Sequence, residues 1–372
     1  MDYKYIVYAV AAAVCAALIA FTTTPAVRVL AYKVGAIDIP EDDRRMHKTP
    51  TPRLGGLAIY LAFTLTTLIF SETNQTLVTV WLGGTVIVIL GFLDDIFRLK
   101  AMVKFIVQIG VAFIAVWQGL TVNAITVAGA TIEFGNWSIL ITVLWIVGLT
   151  NAINLIDGLD GLSCGVSAIS SASLLLASIM LGESPETSVL IAILLGSCIG
   201  FLPFNANPAK IFMGDTGALF LGYTLSVLSV SGVLKSHTVF SFVVPLFVFA
   251  LPILDTSFAF IRRIIHGKSP FSPDRGHLHH KLIDMGLNQK QTVAILYSIC
   301  AILGLSAIMF TSEKVLNALA IIATGLVILV INFILLKNPD TKEQSAIDRM
   351  TSTGKTREAI QQIEKEDENK EN

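Results

Sequence analysis

The chain has 372 residues, of which 54% are hydrophobic and only 14% charged, against roughly 25% charged in an ordinary soluble domain. So apolar a composition excludes a water-soluble globule, whose surface could not cover a core that large, and points to helices solvated by lipid. A formal net charge of −1 excludes the basic surface on which a nucleic-acid partner would depend.

Apolar runs of about 17 to 25 residues, enough to cross a bilayer, predict eleven transmembrane helices and so an all-α polytopic membrane protein. They fall near 5–23, 54–71, 76–95, 101–118, 138–155, 164–181, 187–204, 214–231, 238–261, 292–310 and 314–336. The first run has no basic segment before it and is expected as a retained span rather than a cleaved signal peptide. From Ile125 to Phe134, apolar residues alternate around Ala128-Gly129-Ala130, which predicts a small β-hairpin instead of a span. Pro245 and Pro252 should bend or break the ninth span. Residues 1–336 are expected as the transmembrane domain. Residues 337–372, ending EKEDENKEN, are expected as a charged, partly disordered tail with at most a short helix near 356–365. Cys15, Cys164, Cys198 and Cys300 lie within or at the ends of apolar runs without metal-type spacing, and read as packing residues.

Eleven spans place alternate loops on the same side. All of the 26 Lys and Arg residues except Lys4, Lys235 and Lys314 then share one side, which the positive-inside rule makes cytoplasmic. The hairpin falls on the other side, as an extracytoplasmic element.

Every unusual polar cluster lands on the cytoplasmic side: Asp94-Asp95, the run Asn151 to Leu162 containing Asn154, Asp157 and Asp160, the stretch Asn205 to Asp215, and Arg275-Gly-His277-Leu-His279-His280. An Asp at a helix centre costs about 2.5 to 3.5 kcal/mol on insertion scales, and less at a span end. Any one of these acids could therefore be an ordinary interfacial residue, but five of them woven among glycines argue for a site. Asp157 and Asp160 share a face if their turn is helical, and Gly158 and Gly161 let the backbone turn sharply or approach a ligand closely. Carboxylates about 6 Å apart repel by about 3 kcal/mol at an effective dielectric near 20. A divalent cation removes that penalty, and hard oxygen ligands favour Mg²⁺ or Mn²⁺. With Lys48, Arg53, Lys104 and Lys210 nearby, the set suits a pyrophosphate substrate. Three histidines in four residues could bind zinc, contact phosphate or sugar, or be solvated. No Cys or carboxylate stands at zinc spacing beside them, which favours phosphate or sugar. His47 and His266 read as surface residues, and His237 lies on the outer side. Asp255, between Pro252 and the Arg262-Arg263 pair, reads as a polar partner inside the bundle.

Taken in order, Leu93-Asp94-Asp95, Asn151 to Leu162, Phe204 to Ala209, Phe212 to Gly217 and the His277 to His280 loop resemble the polyprenyl-phosphate N-acetylhexosamine-1-phosphate transferase superfamily, of the glycosyltransferase family 4 type. The resemblance covers most of the chain. It implies ten or eleven spans, a Mg²⁺-dependent exchange at the cytoplasmic face of the cell membrane, UMP as leaving product and a polyprenyl-diphosphate-linked sugar as lipid product. Carried over, it makes Asp215 the principal Mg²⁺ ligand, with Asp94 and Asp95 deprotonating or positioning the lipid phosphate and supporting the metal. Asn151, Asn154, Asp157 and Asp160 would shape the nucleotide pocket, Lys104 and Asn205 would contact phosphate or uridine, and His279 and His280 would contact the donor's diphosphate or sugar, beside His277.

The histidine loop and the opening Arg44-Arg45-x-His47-x-x-Pro50-Thr-Pro52-Arg53-Leu-Gly-Gly56 look like the branch that uses UDP-N-acetylglucosamine and undecaprenyl phosphate to start teichoic acid, O-antigen or related polymers. The alternative is the peptidoglycan branch, which transfers phospho-N-acetylmuramoyl-pentapeptide and more often shows three consecutive histidines; here Leu278 interrupts them. Expected partners are a UDP-sugar, a polyprenyl phosphate and the membrane, with a homodimer allowed. A secondary transporter is the rival from another class, but transporter sites sit near the bilayer midplane, often in paired repeats, and these motifs do neither.

Overall fold

A computed structural model of the chain describes residues 3–39, 50–127, 130–182, 184–232, 242–267, 269, 276–311 and 315–337. His47, Lys48, His237, Arg275, Ala128-Gly129 and residues 338–372 lie outside them. The chain divides into two compact units, Met1–Gly325 and Leu326–Asn372, and the site described below belongs to the first.

Helices dominate: α1 (Tyr3–Val34), α2 (Gly55–Phe70), α3 (Gln75–Phe97), α4 (Ala101–Trp117), α5 (Ser138–Leu155), α6 (Leu162–Leu181), α7 (Pro185–Asn205) and α8 (Gly214–Ser231). They are followed by α9 (Val243–Val248), α10 (Ala250–Ile265), α11 (Leu278–Asp284), α12 (Gln289–Thr311) and α13 (Val315–Lys337). Six segments, namely α1, α3, α5 with the turn before it, α6, α7 and α12, are long and apolar enough to cross a membrane, while α2, α4 and most of α13 are shorter apolar helices. The protein is thus a polytopic integral membrane protein. Two strands, β3 (Ala124–Val127) and β4 (Ala130–Glu133), pair antiparallel with Ile125 opposite Ile132.

The first helix runs eleven residues past its expected end. Thr-Thr-Thr-Pro25 reads as a stop, yet the hydroxyls of Thr22, Thr23 and Thr24 bond back to the carbonyls of Leu18, Ile19 and Ala20, and the helix continues through Pro25. What carries it on is packing: Ala9, Ala12, Ala16, Ala20, Val27 and Ala31 form one buried stripe. That stripe lies against α7, where a methyl group added at Gly200 would sit 2.1 Å from the carbonyl oxygen of Ala17. Small residues let two backbones touch, the usual device for helix pairing where lipid gives no hydrophobic drive.

At the centre stands α8. Every residue from Thr216 to Val230 is buried, enclosed by α2, α3, α5, α6 and α7. The expected ninth span breaks at Phe249 between α9 and α10, close to Pro245 and Pro252, whose rings and missing N–H groups disfavour a continuous helix.

A short antiparallel pair aligns the entry to α8 with the loop before α2. β1 (Ile37–Asp38) pairs with β2 (Thr51–Pro52). The next residues are stitched to the loop before α8: Phe212 N donates to Pro52 O, Gly55 N to Phe212 O and Gly56 N to Met213 O, all at 2.8 to 2.9 Å. These backbone bonds place Arg53 beside the first turn of α8.

Candidate active site

Two adjacent carboxylates end α3, and they do different things. Asp95 is buried, and its Oδ1 accepts from Arg53 Nε and the backbone N–H of Asp215, both at 3.0 Å. Its Oδ2 accepts from the backbone N–H of Thr216 at 3.0 Å and from the Thr216 hydroxyl at 2.6 Å. Four donors fill the roughly four lone-pair sites of a carboxylate. Asp95 thus ties α3 to the start of α8, and this arrangement leaves it no lone pair for the metal ion expected there. The contact needs glycine at position 214, where φ is +71° and a methyl group would lie 2.3 Å from Arg53 O and 2.5 Å from Asp95 Oδ2.

Asp94 turns the other way. Its Oδ1 accepts the Leu99 N–H at 2.6 Å, satisfying the chain just past the helix end, and its Oδ2 accepts from Lys104 Nζ at 2.9 Å. Lys104 also donates to Asp215 Oδ2 at 2.6 Å, and Arg53 approaches Asp215 Oδ1 at 3.8 Å. Asp215 is consequently clamped between two cations. Burial disfavours the Arg53 charge, but Asp95 and Asp215 outweigh it and raise its pKa, so the guanidinium is permanently positive.

These groups border a cavity of about 260 Å³ whose walls include Arg53, Asn154, Asp157, Asp160, Asn205, Asp215 and His280. The Asp157 carboxyl has no hydrogen-bond partner among the described residues, although its backbone N–H donates to Asn154 O at 3.2 Å. Burial, then the negative charges of Asp215 and Asp95, push its carboxyl up to about 8. Asp160, in contrast, is engaged: its Oδ2 accepts from Asn207 Nδ2 at 2.9 Å and the Ala209 N–H at 3.0 Å. Asn207 also donates to Gln289 Oε1 at 2.7 Å, so Asp160 fastens the turn before α6 to the loop before α8, and Asn207 carries the link on to the start of α12. Asn205 donates to Ile211 O at 3.1 Å, and its buried Oδ1 has no partner among the described residues.

Asn151 is not in this wall. Its amide donates to Gln108 Oε1 at 2.5 Å and to Val147 O at 2.8 Å, joining α5 to α4 below the cavity-lining turn. The expectation that it shapes the pocket directly gives way to a packing contact, because one helical turn separates it from Asn154.

The histidines reach the site from α11. His277 Nδ1 lies 2.9 Å from Asp255 Oδ2, and the Leu278 N–H donates to Asp255 Oδ1 at 2.8 Å. The rings of His277 and His279 stack, with centroids 5.8 Å apart and planes 10° apart, and His280 follows at 4.3 Å from His279. His279 is buried against the Asp157-Gly158 turn, where a methyl group on Gly158 would lie 2.4 Å from its Nε2. Burial, then the neighbouring His280 and His277, push its pKa down to about 4, which favours the neutral imidazole. His280 lines the cavity and His277 does not.

Among the described residues no three Asp, Glu, His or Cys side chains form a ready-made metal cage. Asp157 and Asp215 both line the cavity, each within reach of the other's charge, and Mg²⁺ usually takes only one or two protein carboxylates with substrate oxygens completing the shell. The donor chemistry therefore fits a hard divalent cation. Three cavity or anchor residues escaped the sequence reading: Asp38 and Gln289 in the wall, and Thr216 on Asp95. Thr216 stood inside the Gly214-Asp-Thr-Gly217 string, but nothing near Asp38 or Gln289 marked them.

Residues 77–233, from α3 to just past α8, match the family model described as "Glycosyl transferase family 4". The chain is 44% identical over 304 residues to the probable undecaprenyl-phosphate N-acetylglucosaminyl 1-phosphate transferase of Bacillus subtilis (strain 168), an alignment covering 80% of this chain and 84% of the relative. It is 33% identical over 347 residues to the decaprenyl-phosphate N-acetylglucosaminephosphotransferase of Mycobacterium leprae (strain TN), covering 84% and 87%. A phospho-N-acetylmuramoyl-pentapeptide-transferase of Staphylococcus carnosus (strain TM300) aligns at 33% over 279 residues, covering 70% and 85%.

Proposed function

Because the chain belongs to glycosyl transferase family 4, we propose that it transfers N-acetylglucosamine 1-phosphate from UDP-N-acetylglucosamine to undecaprenyl phosphate, releasing UMP. The reaction would be the first membrane step of a cell-envelope polymer such as teichoic acid or O-antigen. The single observation that carries this reading is Asp215 held between Lys104 and Arg53 at the edge of a cavity that Asp157 also faces. Such a cluster of fixed positive and negative charge suits a diphosphate better than any neutral ligand. The chain's 44% identity to the Bacillus subtilis N-acetylglucosaminyl relative exceeds its 33% identity to the pentapeptide transferase, which favours the smaller donor.

The reading includes eleven spans, with α9 and α10 together forming one broken span and α8 the central one. The uneven distribution of Lys and Arg supports a cavity that opens to the cytoplasm from the cell membrane. Asp215 and Asp157 would hold Mg²⁺, or Mn²⁺ in its place, and the ion would stabilise negative charge on the diphosphate oxygens. The residues themselves supply position. Arg53 and Lys104 fix Asp215 and present positive charge to the donor's phosphates. Asp95, saturated by four donors, keeps the α8 terminus in register, and Asp160 fixes the loop that follows Asn205. Asp94 orients Lys104. A phosphate monoester is already a competent nucleophile near neutral pH, so aligning it with the β-phosphorus of the donor matters more than a strong base. His280, with neutral His279 behind it, would contact the donor's sugar or diphosphate.

A donor competition assay tests this reading, using purified protein and undecaprenyl phosphate in detergent micelles. UDP-N-acetylglucosamine should be consumed and UDP-N-acetylmuramoyl-pentapeptide should neither react nor compete. Preferential transfer from the pentapeptide donor would move the chain to the peptidoglycan reaction.

A further inference from the structure

The histidine segment places His280 in the cavity wall and His279 against the Asp157-Gly158 turn behind it. One side chain of α10 binds its first two residues. Asp255, on α10, uses both carboxylate oxygens on it: Oδ2 faces His277 Nδ1 and Oδ1 accepts the Leu278 N–H, at 2.9 and 2.8 Å. From that double contact the order propagates outward. His277 stacks on His279, His279 seats against Gly158, and His280 takes its place in the cavity wall. The bond to His277 Nδ1 also sets which ring nitrogen carries the proton, as a carboxylate partner does for a functional histidine.

We propose that Asp255 is a positioning residue for the transfer reaction: it touches no substrate, but it fixes the orientation and tautomer of His277 and thereby seats His279 on the Asp157-Gly158 turn and His280 in the cavity. The role differs from that of a polar group merely satisfied within the bundle, because its partners belong to a segment outside α10 and more than twenty residues away in the chain. It differs also from the roles of Asp157 and Asp215, whose carboxylates face the cavity directly.

The kinetic part of this inference rests on the proposed reaction; the structural part does not, and the two are read separately. The first measurement needs no activity. Diethyl pyrocarbonate modification of purified full-length protein in detergent, quantified by mass spectrometry, reports His279 accessibility. In Asp255→Ala the rate at His279 should rise at least fivefold over the unsubstituted chain, while His266, outside the tethered segment, should not change. The second measurement is the transfer assay. Asp255→Ala should lower kcat at least tenfold with KM for the UDP-sugar changed less than threefold. Combining it with His277→Ala should cost clearly less than the sum of the two single losses, because both changes break the Asp255–His277 contact. Asp255→Asn keeps an acceptor for the Leu278 N–H and should fold even if the alanine variant does not. It presents an amide to His277 and should fall between the unsubstituted chain and the alanine variant in both readouts. Unchanged His279 modification in Asp255→Ala and Asp255→Asn would overturn the tether. Exposure of His279 with undiminished kcat, or additive losses with His277→Ala, would overturn its positioning role.

Discussion

Asp95 on α3 accepts the backbone N–H of Asp215, the second residue of α8, at 3.0 Å. One carboxylate thus holds in place the acid that faces the cavity, and 120 residues of chain separate the two. Removing the carboxylate strands Arg53 and three further donors in a buried place. Asp95→Ala should therefore destabilise the protein by about 3 to 5 kcal/mol, the usual cost of breaking a buried charged network. Thermal unfolding of the detergent-solubilised protein should show a clear drop in midpoint, and transfer activity should vanish with it. A midpoint equal to that of the unsubstituted protein would contradict the anchoring role.

Asp157 should behave in the opposite way. Its pKa is raised to about 8, so the folded state holds this proton more tightly than the unfolded chain, where an Asp titrates near about 3.9. That contribution to stability is complete below about pH 4 and is lost as pH climbs toward about 8. In chelator, the unfolding midpoint of the protein should fall across pH 5 to 8. Asp157→Asn, which keeps the neutral form at all pH values, should flatten that fall and abolish transfer. Parallel midpoint curves for the two proteins would refute the assignment.

Lys104 bridges Asp94 and Asp215. Lys104→Met leaves the two acids facing each other and removes a cation from the diphosphate's surroundings. Loss of one fixed charge-stabilising donor costs about 10²-fold or more in kcat, and that is the loss expected here in steady-state assays. A fall of less than threefold would show that Lys104 only balances charge at rest.

Gly158 leaves room for His279. Gly158→Ala should displace the imidazole and lower activity at least tenfold while the protein still folds. In the His279→Ala background the same change should cost nothing further, because the clashing ring is gone. Equal losses from Gly158→Ala in both backgrounds would mean that the turn itself, not the contact, matters.

The sequence made the spans and motif strings legible, because a bilayer demands long apolar runs and the acids at their ends stand out against them. It could not show which helix is central: α8 and α1 are similarly apolar, but α8 is enclosed on all sides while α1 exposes Tyr5, Val14 and Leu18, and lipid and protein interior ask for the same composition. Nor could it separate Asp95 from Asp157. Both are acids beside glycine-containing strings, and the difference between a saturated anchor and a bare carboxylate comes from Arg53 and Thr216, which only the fold brings to one of them. The continuation of α1 through Pro25 was hidden for a similar reason. Local residues signal a stop there, and distant packing against α7 overrides them. Asp255 was visible as an acid among apolar neighbours, but its partner His277 was not, since sequence distance carries no information about which loop folds back over α10.

The account turns on Asp215 working at the edge of a charged cavity rather than as a structural ion pair. Its most direct test is exchange of labelled UMP into UDP-N-acetylglucosamine by the purified protein with undecaprenyl phosphate and Mg²⁺, comparing the unsubstituted chain with Asp215→Ala. The unsubstituted protein should incorporate label, lose that activity in chelator and regain it with Mg²⁺, and Asp215→Ala should remain folded and incorporate none. Label incorporation by Asp215→Ala at the unsubstituted rate would contradict the account.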